Sequence, residues 1–175
     1  MLFALFYYII CHKVTFEDKD ELTQTMVKEK MNETITEVFI KNINIIGDSA
    51  FEKCSNIEYV SFQEPIILTK IRYSAIYGCK SLKSISIPSS VKIIQMGAFK
   101  YCSNLENVSF QEQSSLTDIR SSAFEECKEL KSILIPSSVN YINDRAFYHC
   151  SSLENVSFQE QSSLTDIYNS SKAEL

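Results

Sequence analysis

Histidine is nearly absent. His12 and His149 are the only two in 175 residues, which leaves little material for histidine-based catalysis or a multi-histidine metal site. Glycine is almost as scarce, with three residues, and this argues against a glycine-rich loop that cradles phosphate. The six cysteines fall far below the density of a disulfide scaffold. The first eleven residues, MLFALFYYIIC, are almost wholly apolar but stop short of the roughly 18 residues a membrane-spanning helix needs. Neither sign of charge dominates. Seventeen basic and 22 acidic residues give a net charge of −5, so the chain has no overall pull toward nucleic acid. The remaining mix, 45% apolar and 22% charged, is ordinary for a globular protein and argues against wholesale disorder.

What the chain does have is a repeat. LENVSFQEQSSLTDI occurs at 105–119 and again at 153–167. The cysteines halve that 48-residue period: Cys54, Cys79, Cys102, Cys127 and Cys150 are spaced 25, 23, 25 and 23 apart. Each closes a short motif (AFEKC, AIYGC, AFKYC, AFEEC, AFYHC) and is followed by an L-x-x-I-x-I pattern or its near equivalent. These copies are Ile57/Val60/Phe62, Leu82/Ile85/Ile87, Leu105/Val108/Phe110, Leu130/Ile133/Ile135 and Leu153/Val156/Phe158. A sixth, Ile35/Val38/Ile40, precedes them, with Asn32 in the cysteine position. A second apolar pair recurs in every coil: Ile43/Ile46, Leu68/Ile71, Val91/Ile94, Leu116/Ile119 and Val139/Ile142.

One such unit cannot bury its apolar residues alone; stacking identical units places each residue above its counterpart in a continuous core. The alternation in L-x-x-I-x-I is strand patterning. The expectation is an α/β solenoid with one parallel sheet of about six strands and short helical or 3₁₀ turns at the AFxxC segments, in about five coils. Coils of 23 and 25 residues alternate because P-S-S-V follows Ile87 and Ile135 where Q-E-Q-S-S-L follows Phe110 and Phe158. The two extra residues predict a small bulge on every second rung.

The outward strand positions then form columns. The first reads Glu58, Lys83, Glu106, Lys131, Glu154, a cross-strand charge ladder that serves register and solubility. The second reads Tyr59, Ser84, Asn107, Ser132, Asn155, and the third Ser61, Ser86, Ser109, Leu134, Ser157. This small, polar, flat surface is the candidate binding face, with Tyr59 and Leu134 as anchors. The cysteines read as a buried ladder of small apolar residues, because their spacing lacks the clustered pairs zinc requires. No nucleophile–base arrangement is visible, so no enzyme activity and no cofactor are expected. His149 occupies a variable slot and reads as a surface substitution.

The pattern A-F-x-x-C-x-x-L-x-x-I-x-I-P-x-S-V-x-x-I resembles the leucine-rich repeats of the BspA-like surface antigens. Residues 98–110 and 123–139 carry it nearly position for position. The resemblance covers roughly 35–167. It implies a cell-surface or secreted protein that adheres to host proteins, matrix or other cells, and it implies no catalytic residues. The chain departs from the family pattern in keeping the glycine after a coil's last isoleucine only at Gly47, and in not completing a sixth AFxxC turn.

These patterns divide the chain into residues 1–11, a helical cap at 12–33, the leucine-rich-repeat solenoid at 34–167 and a short tail at 168–175. Residues 1–11 suit either a secretory h-region or a buried segment over the end of the solenoid. In the stretch that follows, Asp18 with Glu21 predicts a capping-box helix start, with Leu22, Met26 and Met31 on one face. Four N-x-S/T sequons are present; Asn107 and Asn155 lie within strands, while Asn32 and Asn169 are better placed for glycosylation. The C-terminal strand edge is a candidate for end-to-end self-association. The functional expectation is a non-enzymatic, surface or secreted binding module that engages a protein or glycan on its strand face, with no nucleic acid and no membrane span. The alternatives are an intracellular interaction scaffold, or a truncated member of an expanded repeat family with no dedicated ligand.

Overall fold

The computed structural model describes residues 12–160 and 166–167. Its elements are β1 (Lys13–Leu22), the helix α1 (Gln24–Lys30), β2 (Glu37–Ile46), β3 (Tyr59–Gln63), β4 (Lys70–Ile71), β5 (Ser84–Ile87) and β6 (Ile93–Ile94). They continue with β7 (Asn107–Phe110), β8 (Asp118–Ile119), β9 (Ser132–Ile135), β10 (Tyr141–Ile142), β11 (Asn155–Phe158) and β12 (Asp166–Ile167). The L-x-x-I-x-I stretches supply the longer strands, and the second apolar pair of each coil supplies the two-residue ones. Every pairing is parallel.

The sheet order is β11-β9-β7-β5-β3-β2-β4-β6-β8-β10-β12, with β1 on β2. The long strand β2 joins the two faces of the coil stack: its residues 37–41 pair with β3, and Ile45 and Ile46 pair with β4. It turns the corner at Asn42, in the left-handed region at φ 51°, alongside Asp18 of β1 at φ 57°. Asn42 Nδ2 donates to Asp18 Oδ1 at 2.8 Å, and Asn44 Nδ2 to Asp20 Oδ1 at 3.0 Å. Asn and Asp are the side-chain-bearing residues that tolerate this conformation best.

The AFxxC segments form chains of turns, not regular helix. In the third copy, Ala98, Lys100 and Cys102 donate back to Gln95, Gly97 and Phe99 at 3.0–3.2 Å. The intervening amides of Gly97, Phe99 and Tyr101 cross to Ser121, Ala123 and Glu125 of the next coil at 2.8–3.1 Å. Every second amide therefore points along the solenoid axis, and two residues per coil must be left-handed, here Gly97 and Tyr101 at φ 66° and 62°. The two extra residues after Phe110 close as a turn, with Gln113 at φ 56°. Gln111 Oε1 accepts from the Ser89 amide at 3.1 Å, and Gln159 Oε1 accepts from that of Ser137 at 3.2 Å.

The core is a set of ladders. Phe99 stacks on Phe124 at 5.2 Å between ring centroids, and Phe124 on Phe147 at 5.5 Å, with the rings within 2° of parallel. Cys79, Cys102, Cys127 and Cys150 are buried, Cys54 is half-buried, and all five thiols are free.

Residues 15–34 correct the expectation of a helical cap starting at Asp18. Residues 13–22 are strand, and α1 begins only at Gln24, where Thr23 Oγ1 accepts from the Met26 amide at 3.4 Å. Phe16 and Leu22 lie on one face of β1 and are buried, and β2 supplies backbone partners along its whole length. That pairing overrides the local capping signal. Residues 1–11 and 168–175, with Cys11 and Asn169, lie outside the described residues.

Candidate functional site

The register of the strands aligns the outward columns. Tyr59 stands beside Ser84, Ser84 beside Asn107, Asn107 beside Ser132, and Ser132 beside Asn155. In the third column Ser86 faces Ser109, and Leu134 faces Ser157. Tyr59 is 43% exposed and Leu134 is 50% exposed, so two large apolar side chains stand in a field of small polar ones. They sit three strands apart, Tyr59 on β3 and Leu134 on β9.

The charged column stands one residue before the strands and is aligned by backbone bonds: Lys83 N–H to Glu58 O at 3.1 Å, Glu106 N–H to Lys83 O at 2.9 Å, and Glu154 N–H to Lys131 O at 2.9 Å. Its side chains pair only once, between Glu58 and Lys83. That hydrogen bond raises the Lys83 ammonium above its ordinary pKa. Among the described residues no ion pair joins Glu106, Lys131 and Glu154; exposed long side chains gain little from being held in one geometry.

Sequence reasoning missed an aromatic residue on this face. Phe39 of β2 stands beside Ser61 and extends the third column by one strand. Lys13 Nζ lies 5.7 Å from its ring centroid and pairs with Glu37 at 3.0 Å, while Lys83 Nζ lies 5.4 Å from the Tyr59 ring centroid. Phe39 and Tyr59 thus form an aromatic corner with a lysine over each ring. The signal was available, because the Ile35/Val38/Ile40 copy puts Phe39 in an outward position.

Asn32 is exposed, and its Oδ1 accepts from the Thr34 amide at 2.9 Å and from Thr34 Oγ1 at 2.6 Å. Asn107 and Asn155 are exposed within β7 and β11. His149 Nδ1 lies 2.9 Å from Glu126 Oε1, and its ring stacks on Tyr148. The hydrogen bond with His149 holds the Glu126 carboxyl below the ordinary carboxylate range. Among the described residues no group of three or more His, Cys, Asp and Glu could hold a metal ion, and no helix is long and apolar enough to cross a membrane.

Comparison with known proteins agrees with the geometry. The profile of the BspA type leucine rich repeat region matches residues 27–154 in six copies. The chain is similar in structure to the pneumococcal vaccine antigen PcpA, with a TM-score of 0.70 and 26% identity over 73% of this chain and 31% of that one. It is also similar to a leucine-rich repeat protein from Bacteroides ovatus, with a TM-score of 0.53 and 30% identity over 74% of this chain and 39% of that one. A leucine rich cell surface protein from Faecalibacterium prausnitzii shares the fold, with a TM-score of 0.60 and 24% identity over 84% of this chain and 47% of that one. The chain thus spans less than half the length of each of these proteins. No curated protein matches it. With six matched copies over most of its length, and a parallel solenoid built from them, this chain belongs to the BspA-type leucine-rich repeat family.

Proposed function

We propose that this chain is a non-enzymatic binding module of a surface or secreted adhesin-type protein, and that it engages a protein or glycan on its strand face. One observation carries the reading: large exposed side chains, Tyr59 and Leu134, stand in register within columns of serine and asparagine. Ser84, Asn107, Ser132 and Asn155 leave that surface flat and rich in hydrogen-bonding groups, while the aromatic corner supplies contact area at low entropy cost. The surface setting draws on relatives described as a vaccine antigen and as a cell surface protein.

The test is binding of the full chain to arrays of extracellular-matrix proteins and of glycans. The pair Tyr59→Ser and Leu134→Ser is compared with Tyr73→Ser and Tyr141→Ser, which lie off this face. The strand-face pair is expected to lose at least tenfold in affinity and the control pair to lose none. A ligand indifferent to the strand-face pair, or no saturable ligand at all, would overturn the reading.

A further inference from the structure

A hollow of about 500 Å³ opens on the turn edge of the coil stack, away from the outward strand columns, bordered by Lys53, Ser55, Tyr77, Gly78, Lys80 and Tyr101. A second hollow, of about 430 Å³, opens at the equivalent positions Glu126, Lys128, His149 and Ser151 further along the stack, and what sets the first apart is a missing side chain. The position before each motif cysteine holds Lys53, Gly78, Tyr101, Glu126 and His149, all left-handed with φ between 57° and 69°. Only Gly78 lacks a side chain, so the second coil leaves a gap in the column between Lys53 and Tyr101. The backbone does not require glycine there, since the other four coils hold the same conformation with side chains. Space does not require it either: a Cβ at residue 78 would meet Lys53 Cγ at 3.6 Å, an ordinary contact.

The walls are aromatic and the rim is cationic. Tyr77 and Tyr101 meet edge to face at 5.4 Å, and Tyr101 is 38% exposed. Lys80 is exposed and makes no ion pair among the described residues, while Lys53 reaches Glu52 only at 3.7 Å with 75% of its side chain exposed. Lys100, beside Tyr101, is already held by Glu125 at 2.8 Å. The amides of Lys53, Gly78 and Tyr101 are already spent, donating to Tyr77, Lys100 and Glu125 of the next coils at 2.7–2.9 Å.

We propose that this hollow binds an acidic saccharide, with the sugar ring against Tyr77 and Tyr101 and its carboxylate or sulfate held by Lys80 and Lys53. Aromatic walls suit the apolar faces of a pyranose ring. Two lysines whose charge is largely uncompensated favour an anion at the rim. An extended acidic peptide fits less well, because the amides of Lys53, Gly78 and Tyr101 are not free to pair with its backbone. The volume lies within the range of small-molecule sites.

The chain's three glycines make the test direct. The full 15N-labelled chain is titrated with a heparin-derived sulfated disaccharide, with lactose and with a tetraglutamate peptide, and the Gly78 amide is followed against Gly47. The sulfated disaccharide is expected to shift Gly78 saturably and leave Gly47 in place, with lactose and tetraglutamate binding at least tenfold more weakly. Gly78→Asn, which fills the gap with a residue tolerant of positive φ, and Lys80→Gln should each lower affinity at least tenfold and leave the remaining spectrum unchanged. An unmoved Gly78 amide would overturn the proposal. So would tetraglutamate binding as tight as the disaccharide's, which would mark a merely cationic surface. Undiminished affinity in both variants would do the same.

Discussion

The thiol of Cys102 donates to the main-chain carbonyl of Ile76 in the preceding coil across 3.1 Å. The same bond recurs from Cys79 to Phe51, from Cys127 to Phe99 and from Cys150 to Phe124, at 3.1–3.3 Å. The residue that marks the period is therefore a small apolar filler that also satisfies a buried carbonyl. Position and partner together account for the cysteine in four of the five motifs; Cys54, in the first, is half-buried.

The acceptors are not equivalent, and this gives a first prediction. The Phe99 carbonyl also receives the Cys102 amide at 3.1 Å, whereas among the described residues the Ile76 carbonyl has the Cys102 thiol alone. Cys102→Ala should lower stability by about 1–3 kcal/mol, the cost of a stranded buried acceptor. Cys127→Ala should cost measurably less. Urea unfolding of both variants checks it, and equal losses would mean that the thiols act only through packing.

The buried thiols also set a limit at high pH. Burial pushes Cys102 and Cys150 up to about 12, and Cys79 and Cys127 well above the ordinary thiol value. An unfolded thiol ionises near 8.5. Between roughly pH 9 and 12 the unfolded chain thus binds fewer protons than the folded one, and stability falls as pH rises, by up to about 1.4 kcal/mol per pH unit for each such thiol. Below that window the neutral thiols cost nothing. Unfolding midpoints at pH 8, 9.5 and 10.5 should decline steeply for the native chain and less steeply for Cys102→Ala. Identical slopes would refute the assignment.

The left-handed positions offer a gain. Ser122 sits at φ 57° in a turn whose counterpart in the previous coil is Gly97 at 66°. An L side chain in this conformation costs on the order of 1–2 kcal/mol, partly offset by the entropy that glycine loses on folding. Ser122→Gly is therefore expected to stabilise by about 0.5–1 kcal/mol, read as a rise in the thermal midpoint. A fall would mean that the seryl side chain holds the turn.

The coil stack was legible because its ladders are periodic: Cys54 to Cys150 gives the rung spacing, and Leu82/Ile85/Ile87 gives the inward side of a strand. Once those are set, Tyr59 and Leu134 can only point outward. Residues 13–22 were not legible. Phe16 and Leu22 share a strand face, but five consecutive charged residues, Glu17 to Glu21, stand between them, and only the parallel partner β2 makes that stretch a strand. The hollow at Gly78 was hidden for a different reason. A missing side chain leaves no motif, and it becomes a feature only when coils stack.

Phe124 is the most demanding test of the register. It is fully buried and stacked between Phe99 and Phe147, so truncation removes ring contacts on both sides and leaves a cavity that the flanking coils, tied by backbone ladders, cannot close. Phe124→Ala should cost about 3–5 kcal/mol. Phe124→Ile should cost less, because the second coil already places Ile76 at the equivalent rung, fully buried, without breaking the stack. Urea unfolding of the two variants separates packing volume from ring stacking. A loss below about 1 kcal/mol for the alanine variant would be incompatible with a core side chain at this position, and the ladder register would fail with it.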